Sequence, residues 1–343
     1  MESIDLLVLR TTRDWLKAGE RVLLATVART WGSSPRPVGS MMALRGDGRV
    51  IGSVSGGCIE DDLVHRYTTA YNGEGMPEGP PRVVRYGVSA DEAHRFGLPC
   101  GGTLELILEL SPSLPSLEQL LPQLDAGNLV RRELDLGTGG VSLAVTHALE
   151  QFSFDGQRMV NTLGPGYRML LIGAGVLAEY LATMALFNGF KVAVCDPRRE
   201  YMEGWNVAGV EKIVGMPDDV VRAFAPDLRS CIIGLSHDPK LDDLALLEAL
   251  HSTAFYIGVI GSRRNSQLRR ERLIEHFGET QASLKRLHGP IGIYIGSKTP
   301  AEIAVSVMAQ VLAIKNGVAL PSAVDVTKAK RARKPVHEVN VRQ

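Results

Sequence analysis

Apolar positions along the chain change their period twice. Residues 3–18 repeat them at helical spacing, and "RVLLATVART" (21–30) is a buried strand that runs into the proline-stiffened turn "WGSSPRPVG". "SMMALR", a turn at Gly46-Asp47-Gly48 and "RVIGSVSGG" follow, and the spacing then predicts a helix from Ile59 to about Tyr71. A Gly/Pro loop over 72–81 precedes the strands "RVVRYGV" and "GTLELILEL", so residues 1–110 read as one α/β unit. Segment 111–165 has helical spacing between prolines and then polar-apolar alternation in "LVRRELDL" and "VSLAVTHAL", which predicts a structured connector with hairpin strands.

From Arg168 the apolar runs become continuous: "RMLLIGAG", the helical "VLAEYLATMALFNGF", then "KVAVCDPR". Further strands are expected at 230–236, 254–262 and 291–297, each followed by a helix. Unbroken apolar strands alternating with helices define a parallel sheet covered on both faces. The fold class is therefore α/β, with an amino-terminal α/β domain and a Rossmann-like parallel-sheet domain over 166–320, followed by a basic tail over 321–343.

Composition narrows the class of protein. The chain has 343 residues, 45% hydrophobic and 22% charged, as in ordinary globular proteins of two cores. Its 38 basic and 38 acidic residues balance, so no overall field favours nucleic acid or an anionic membrane. The start "MESIDLLVLRTTRDW" has too short an apolar run for a signal sequence and no later segment reaches membrane length, which points to the cytoplasm. The four cysteines (58, 100, 195, 231) show no C-x-x-C spacing, in keeping with reduced thiols.

"GAGVLA" (173–178) is G-x-G-x-x-A between a strand and a helix, with Asp196 closing the next strand. Gly173 and Gly175 allow a tight turn and close approach of a pyrophosphate, while Asp196 is placed for a ribose hydroxyl. NAD(P) is one ligand this suits. Another phosphate-bearing ligand, met by Arg198 and Arg199, and an empty crevice are the others. "IGVIGSRRN" and "IGIYIGSKTP" both end in Gly-Ser and a cation, which sends Ser262, Arg263, Ser297 and Lys298 to the same carboxyl-end rim. His237, in "LSHDPKLDD", is a further strand-end candidate. Thr299 and Glu302 form a capping box and serve their helix.

In the first domain, "SGGC" (55–58) is mirrored by "CGG" (100–102). The amides of Gly56, Gly57 and Gly101 beside a thiol can bind an anion and lower the thiol pKa, so Cys58 and Cys100 are either ligands to a soft metal or buried thiols. Arg36, in "SSPRP", is either a fixed anion contact or a solvated cation. Glu60, Asp61 and Asp62 complement a helix amino end. Cys195 and Cys231, set in apolar strands, read as inert.

Together "GSSPRPVGSMMAL", "GSVSGGCIE", "CGGTLEL", "LLIGAG", "VAVCDPR", "SHDPKLDD", "YIGVIGSRRN" and "GPIGIYIGSKTPAEIAVSVMAQVLA" resemble the XdhC/CoxI family of maturation factors for molybdenum hydroxylases, over roughly residues 10–317. The resemblance implies a dimeric chaperone, not a turnover enzyme. Such a protein binds molybdenum cofactor in its molybdopterin form, protects it during sulfuration with a cysteine desulfurase, and inserts it into a hydroxylase apoenzyme of the xanthine dehydrogenase type. It implies that residues 1–110 form the cofactor-binding domain and that Cys58 and Cys100 are candidate molybdenum contacts. Similar proteins usually carry histidine where Val176 stands. An NAD(P)-dependent oxidoreductase and a non-catalytic adaptor are the alternative functions.

Overall fold

The computed structural model describes residues 4–31, 36–68, 75–87, 103–148 and 150–326, and divides into two compact units that meet in sequence at Pro165 and Gly166. The first unit is built around the strand β1 (Val22–Trp31), which is apolar on both faces. It is the middle of a five-stranded antiparallel sheet with β2 (Met41–Arg45), β3 (Val50–Gly52), β4 (Arg82–Tyr86) and β5 (Thr103–Glu109), in the order β3-β2-β1-β5-β4. Leu23, Ala25 and Val27 turn one way, into a core with Ile59, Leu63 and Val64 of the helix α2 (Cys58–Tyr67). Val22 and Leu24 turn the other way, against Val8 and Leu9 of the helix α1 (Ile4–Lys17) and four leucines of the helix α3 (Leu114–Asp125). That two-sided burial explains why β1 reads as a continuous apolar run although its sheet is antiparallel.

The expected connector is a substantial part of this unit. Helix α3 supplies Leu117, Leu120, Leu121 and Leu124 to the core that α1 covers. Beyond it, β6 (Leu129–Asp135), β7 (Val141–Thr146), β8 (Ser153–Phe154) and β9 (Arg158–Leu163) make a second antiparallel sheet in the order β7-β6-β9-β8. A buried pair, Arg132 Nη2 to Glu109 Oε2 at 2.6 Å, ties β6 to β5.

The second unit is a six-stranded parallel sheet in the order β12-β11-β10-β13-β14-β15. Its strands are β10 (Arg168–Ile172), β11 (Lys191–Cys195), β12 (Val210–Ile213), β13 (Ser230–Gly234), β14 (Tyr256–Val259) and β15 (Leu287–His288). This is the doubly wound dinucleotide-fold order, with the topological switch beside β10. The helices α4 (Val176–Phe187) and α9 (Pro300–Lys315) cover one face. The other is covered by α6 (Pro217–Phe224), α7 (Pro239–Leu250) and α8 (Arg263–Phe277), and a short α5 (Arg199–Gly204) follows β11. Among the described residues no helix is long and apolar enough to cross a membrane.

One local expectation is corrected, and one strand was not expected. The strand expected over 291–297 is displaced to Leu287–His288, and the edge strand β12 carries too few apolar positions to stand out in the sequence. Pro290 has no amide to give a ladder, and Gly292 and Gly296 adopt φ of 97° and 80°, so 291–297 runs as irregular chain. The start of the expected basic tail instead docks on that chain, with an isolated bridge between Ile293 and Asp325. The basic run itself, 328–334, lies outside the described residues.

Candidate functional site

In the first unit, β3 ends at Gly52 and the chain turns through Ser53-Val54-Ser55-Gly56-Gly57 into α2, whose first residue is Cys58. Gly56 and Gly57 take φ of 100° and 147°, a region that favours glycine, and this curls successive amides toward one point. The Glu60 carboxylate occupies that point. Its Oε1 accepts from the amides of Val54 (2.8 Å), Ser55 (2.8 Å) and Gly56 (3.1 Å) and from Ser53 Oγ (2.7 Å). Its Oε2 accepts from the Gly57 amide (2.8 Å) and the Ser55 hydroxyl.

Glu60 is only 8% exposed. Burial alone would raise its carboxyl pKa. The Ser55 hydroxyl and amide, with the Ser53 hydroxyl, outweigh burial and hold it well below the usual carboxylate range. The sequence leaves the glycine amides open to an external anion; the structure shows the anion supplied by the chain itself. The signal is present in the spacing: an acid at the third helical position behind the cap is a capping-box pattern.

Arg36 belongs to the same cluster, because its Nε donates to Ser53 Oγ at 3.1 Å, and Ser53 Oγ donates on to Glu60. The loop therefore brings Arg36, Gly56, Gly57 and the backbone of Cys58 together around one buried carboxylate. The Cys58 side chain, Cys100 and Gly101 lie outside the described residues, so the mirrored pair and its molybdenum contact have no geometry here. Among the described residues no group of three His, Cys, Asp or Glu is placed to hold a metal. On the far side of α2, Asp62 accepts from Tyr86 Oη (2.9 Å) and pairs with Arg66 (2.8 Å), anchoring the helix to β4.

In the second unit the predicted residues fall at the carboxyl ends of the strands, as the parallel topology requires. Gly173 follows β10 with φ 105°, and a Cβ there would meet Ser236 Cα at 2.5 Å. Only glycine fits this crossing. Gly175 caps α4 in open space. Asp196 follows β11 and is fully buried. Its Oδ2 accepts from the Ala174 amide (2.9 Å) and Arg198 Nη2 (2.8 Å), its Oδ1 from Arg198 Nε (2.8 Å) and the Arg198 amide (3.0 Å). Burial works to raise its pKa, but the Arg198 fork and the Ala174 amide prevail and hold it below the usual range. The acid expected to meet a ribose instead ties the glycine turn to the end of β11.

Ser236 and exposed His237 follow β13, and His237 stands at φ 60°. They are braced by Asp242, which accepts from the Ser236 amide (3.2 Å) and hydroxyl (2.7 Å). Arg269 Nε and Arg272 Nη2 grip the neighbouring Asp243, each at 2.6 Å. Burial pushes the Asp242 carboxyl above its usual value, with Ser236 and Arg269 opposing. Nothing in the sequence separates these two aspartates from ordinary helix-start acids. Ser262 caps α8, accepting from the Asn265 amide at 3.1 Å, with Arg263 exposed beside it. Ser297 and Lys298 stand on the irregular chain before α9, where Thr299 and Glu302 form the expected capping box. Cys195 and Cys231 are buried and unpaired; burial, then the Asp196 charge, pushes the Cys195 thiol up to about 12.

A doubly wound sheet carrying a glycine turn, joined to an antiparallel unit whose SGGC loop is closed on its own glutamate, defines a two-part α/β protein. The family described as XdhC and CoxI matches residues 15–87, and the XdhC Rossmann domain matches 169–311. The chain belongs to the XdhC/CoxI family. It is 26% identical over 308 residues to the molybdenum cofactor insertion chaperone PaoD of Escherichia coli (strain K12), covering 90% of this chain and 88% of that protein. It is 25% identical over 338 residues to a probable xanthine dehydrogenase subunit of Bacillus subtilis (strain 168), covering 89% and 96%. A crystal structure described as a xanthine dehydrogenase of Bacillus halodurans superposes with a TM-score of 0.69 at 26% identity, covering 95% of this chain and 99% of that one.

Proposed function

We propose that this protein binds molybdenum cofactor as cargo and delivers it to a hydroxylase apoenzyme of the xanthine dehydrogenase type. The observation that carries the reading is the locked SGGC loop, in a chain similar over nine-tenths of its length to an insertion chaperone. The loop fixes the backbone of Cys58 at the first position of α2, and Arg36, from the turn between β1 and β2, adds a cation to the same cluster. A cysteine and a cation among the loop residues suit a cargo that is a soft metal on a phosphorylated pterin. Cys100, Gly101 and the carboxyl-end residues Gly173, Gly175, His237, Ser262, Arg263, Ser297 and Lys298 remain candidate contacts. The protein works as a dimer in the cytoplasm with a cysteine desulfurase as second partner, and its role is protection and transfer, not turnover.

The test is pterin content. Protein isolated anaerobically is oxidised and its pterin fluorescence quantified, for the parent and for a Cys58→Ala/Cys100→Ala variant. Retention by the parent and loss by the variant, with the hydroxylase left inactive, is the expected result. Normal hydroxylase maturation by the variant, from a parent that carries no pterin, would end this reading. An NAD(P) site in the Rossmann-like unit is a second reading, favoured by the α4 start at Gly175, where no side chain bonds the first amides.

A further inference from the structure

Fold-level expectation assigns the acid at the end of the second Rossmann strand to a ribose hydroxyl. Here Asp196 is 0% exposed and all four hydrogen bonds to its carboxylate come from within the chain. A hydroxyl would have to displace the Arg198 fork from a buried carboxylate. What this strand end offers outward is the guanidinium, whose side chain is 30% exposed. Arg198 gives Nε and one Nη2 proton to Asp196, and its remaining protons have no partner among the described residues. The guanidinium lies 3.8 Å from the Tyr201 ring centroid, and Tyr201 is 47% exposed. It is thus held on two sides, by a carboxylate fork and by a ring, while its free edge faces out. Asp238 contributes an opposing charge nearby, but that carboxylate is engaged by the Lys240 amide at 2.9 Å.

The geometry points to a Rossmann crevice that reads a phosphate, not a hydroxyl, at the end of β11: among dinucleotides it selects those bearing a ribose 2′-phosphate over their unphosphorylated counterparts. The pyrophosphate would lie over the start of α4, where Gly175 leaves open space and no side chain caps the helix. A planar guanidinium fixed on two sides keeps little rotamer freedom to lose, so its bonds to phosphate oxygens add to affinity with small ordering cost. This inference does not rest on the cargo of the first unit and survives if that reading fails.

The test is calorimetric titration of the full chain with NADP+ and with NAD+ at low and high salt. NADP+ is expected to bind at least about tenfold more tightly, one decade being about 1.4 kcal/mol. The margin should narrow as salt rises, since the partly exposed pair is screened. Arg198→Ala should bring the two affinities within about threefold, and Arg198→Lys should keep part of the preference because a point charge lacks the fork. Arg198 also braces Asp196, so the comparison in the parent protein decides the matter even if the variants fold poorly. Equal or tighter binding of NAD+, or no binding of either at millimolar concentration, overturns the proposal.

Discussion

Removing the Glu60 carboxylate should unlock the SGGC loop, and the size of the loss can be worked from its donors. Six hydrogen bonds end on this group. In Glu60→Ala the two serine hydroxyls can rotate elsewhere, and the amides of exposed Gly56 and Gly57 regain water. Val54 and Ser55, at 0% and 7% exposure, cannot. Two buried amides left without acceptors cost about 1–3 kcal/mol each, so about 4 kcal/mol is expected in all. For a unit of this size that is roughly 8–16 °C in melting temperature. Thermal melting gives the total, and hydrogen exchange read by mass spectrometry over residues 50–67 gives the location. Glu60→Gln should lose about half as much, since it keeps one acceptor but turns an amide against donors.

The same group sets an acid limb. Its folded pKa lies below its unfolded value, so the unfolded chain binds the proton first. Its stabilisation is therefore complete above about pH 5 and declines as pH falls below the ordinary glutamate value of about 4.3, a decline that Glu60→Ala should lack. If Glu60→Ala melts within about 2 °C of the parent, with the amides of Val54 and Ser55 still protected, the carboxylate does not hold the loop and this account of the site is wrong.

Other expectations follow from the second unit and the loop's rim. Gly173→Ala should destabilise by about 3 kcal/mol in urea titration, because φ 105° is strained for alanine and its Cβ would lie 2.5 Å from Ser236 Cα; a loss under about 1 kcal/mol would contradict the crossing described. Asp242→Asn, which keeps the acceptor for Ser236, should cost less than about 1.5 kcal/mol, while Asp242→Leu should cost about 3, as measured by chemical denaturation. Iodoacetamide should leave Cys195 and Cys231 unmodified in the folded protein and label both in urea, which peptide mapping would read directly. Arg36→Ala should lower pterin retention in the anaerobic preparation.

The parallel sheet was readable because each of its central strands is apolar on both faces, a pattern that periodicity detects without knowledge of partners. The edge was not. Strand β12 has the burial of a half-exposed ribbon, and β15 is two residues long, so neither stands out from turn sequence. The helix α3 was legible, yet its four buried leucines carry no sign of which core they enter, and its membership of the first unit emerges only from contact with Val8 and Leu9. At the candidate site the residue types were legible and their partners were not. Whether a glycine amide meets a cofactor or a glutamate three residues on, and whether Asp196 meets a ribose or Arg198, is decided by backbone curvature and by competition among nearby groups. A linear pattern does not record that competition.

The arrangement of β1 bears on how the chain is made. One neighbour, β2, begins at Met41 and follows it from the ribosome almost at once, but the other, β5, begins only at Thr103. Until that point the nascent chain presents a long apolar edge with unpaired amides and carbonyls, the surface on which strands of other chains add. A slow-translating stretch just before Thr103 would lengthen that interval, and one far enough past Glu109 for β5 to have cleared the ribosomal tunnel would give the sheet time to close before the Rossmann-like half emerges.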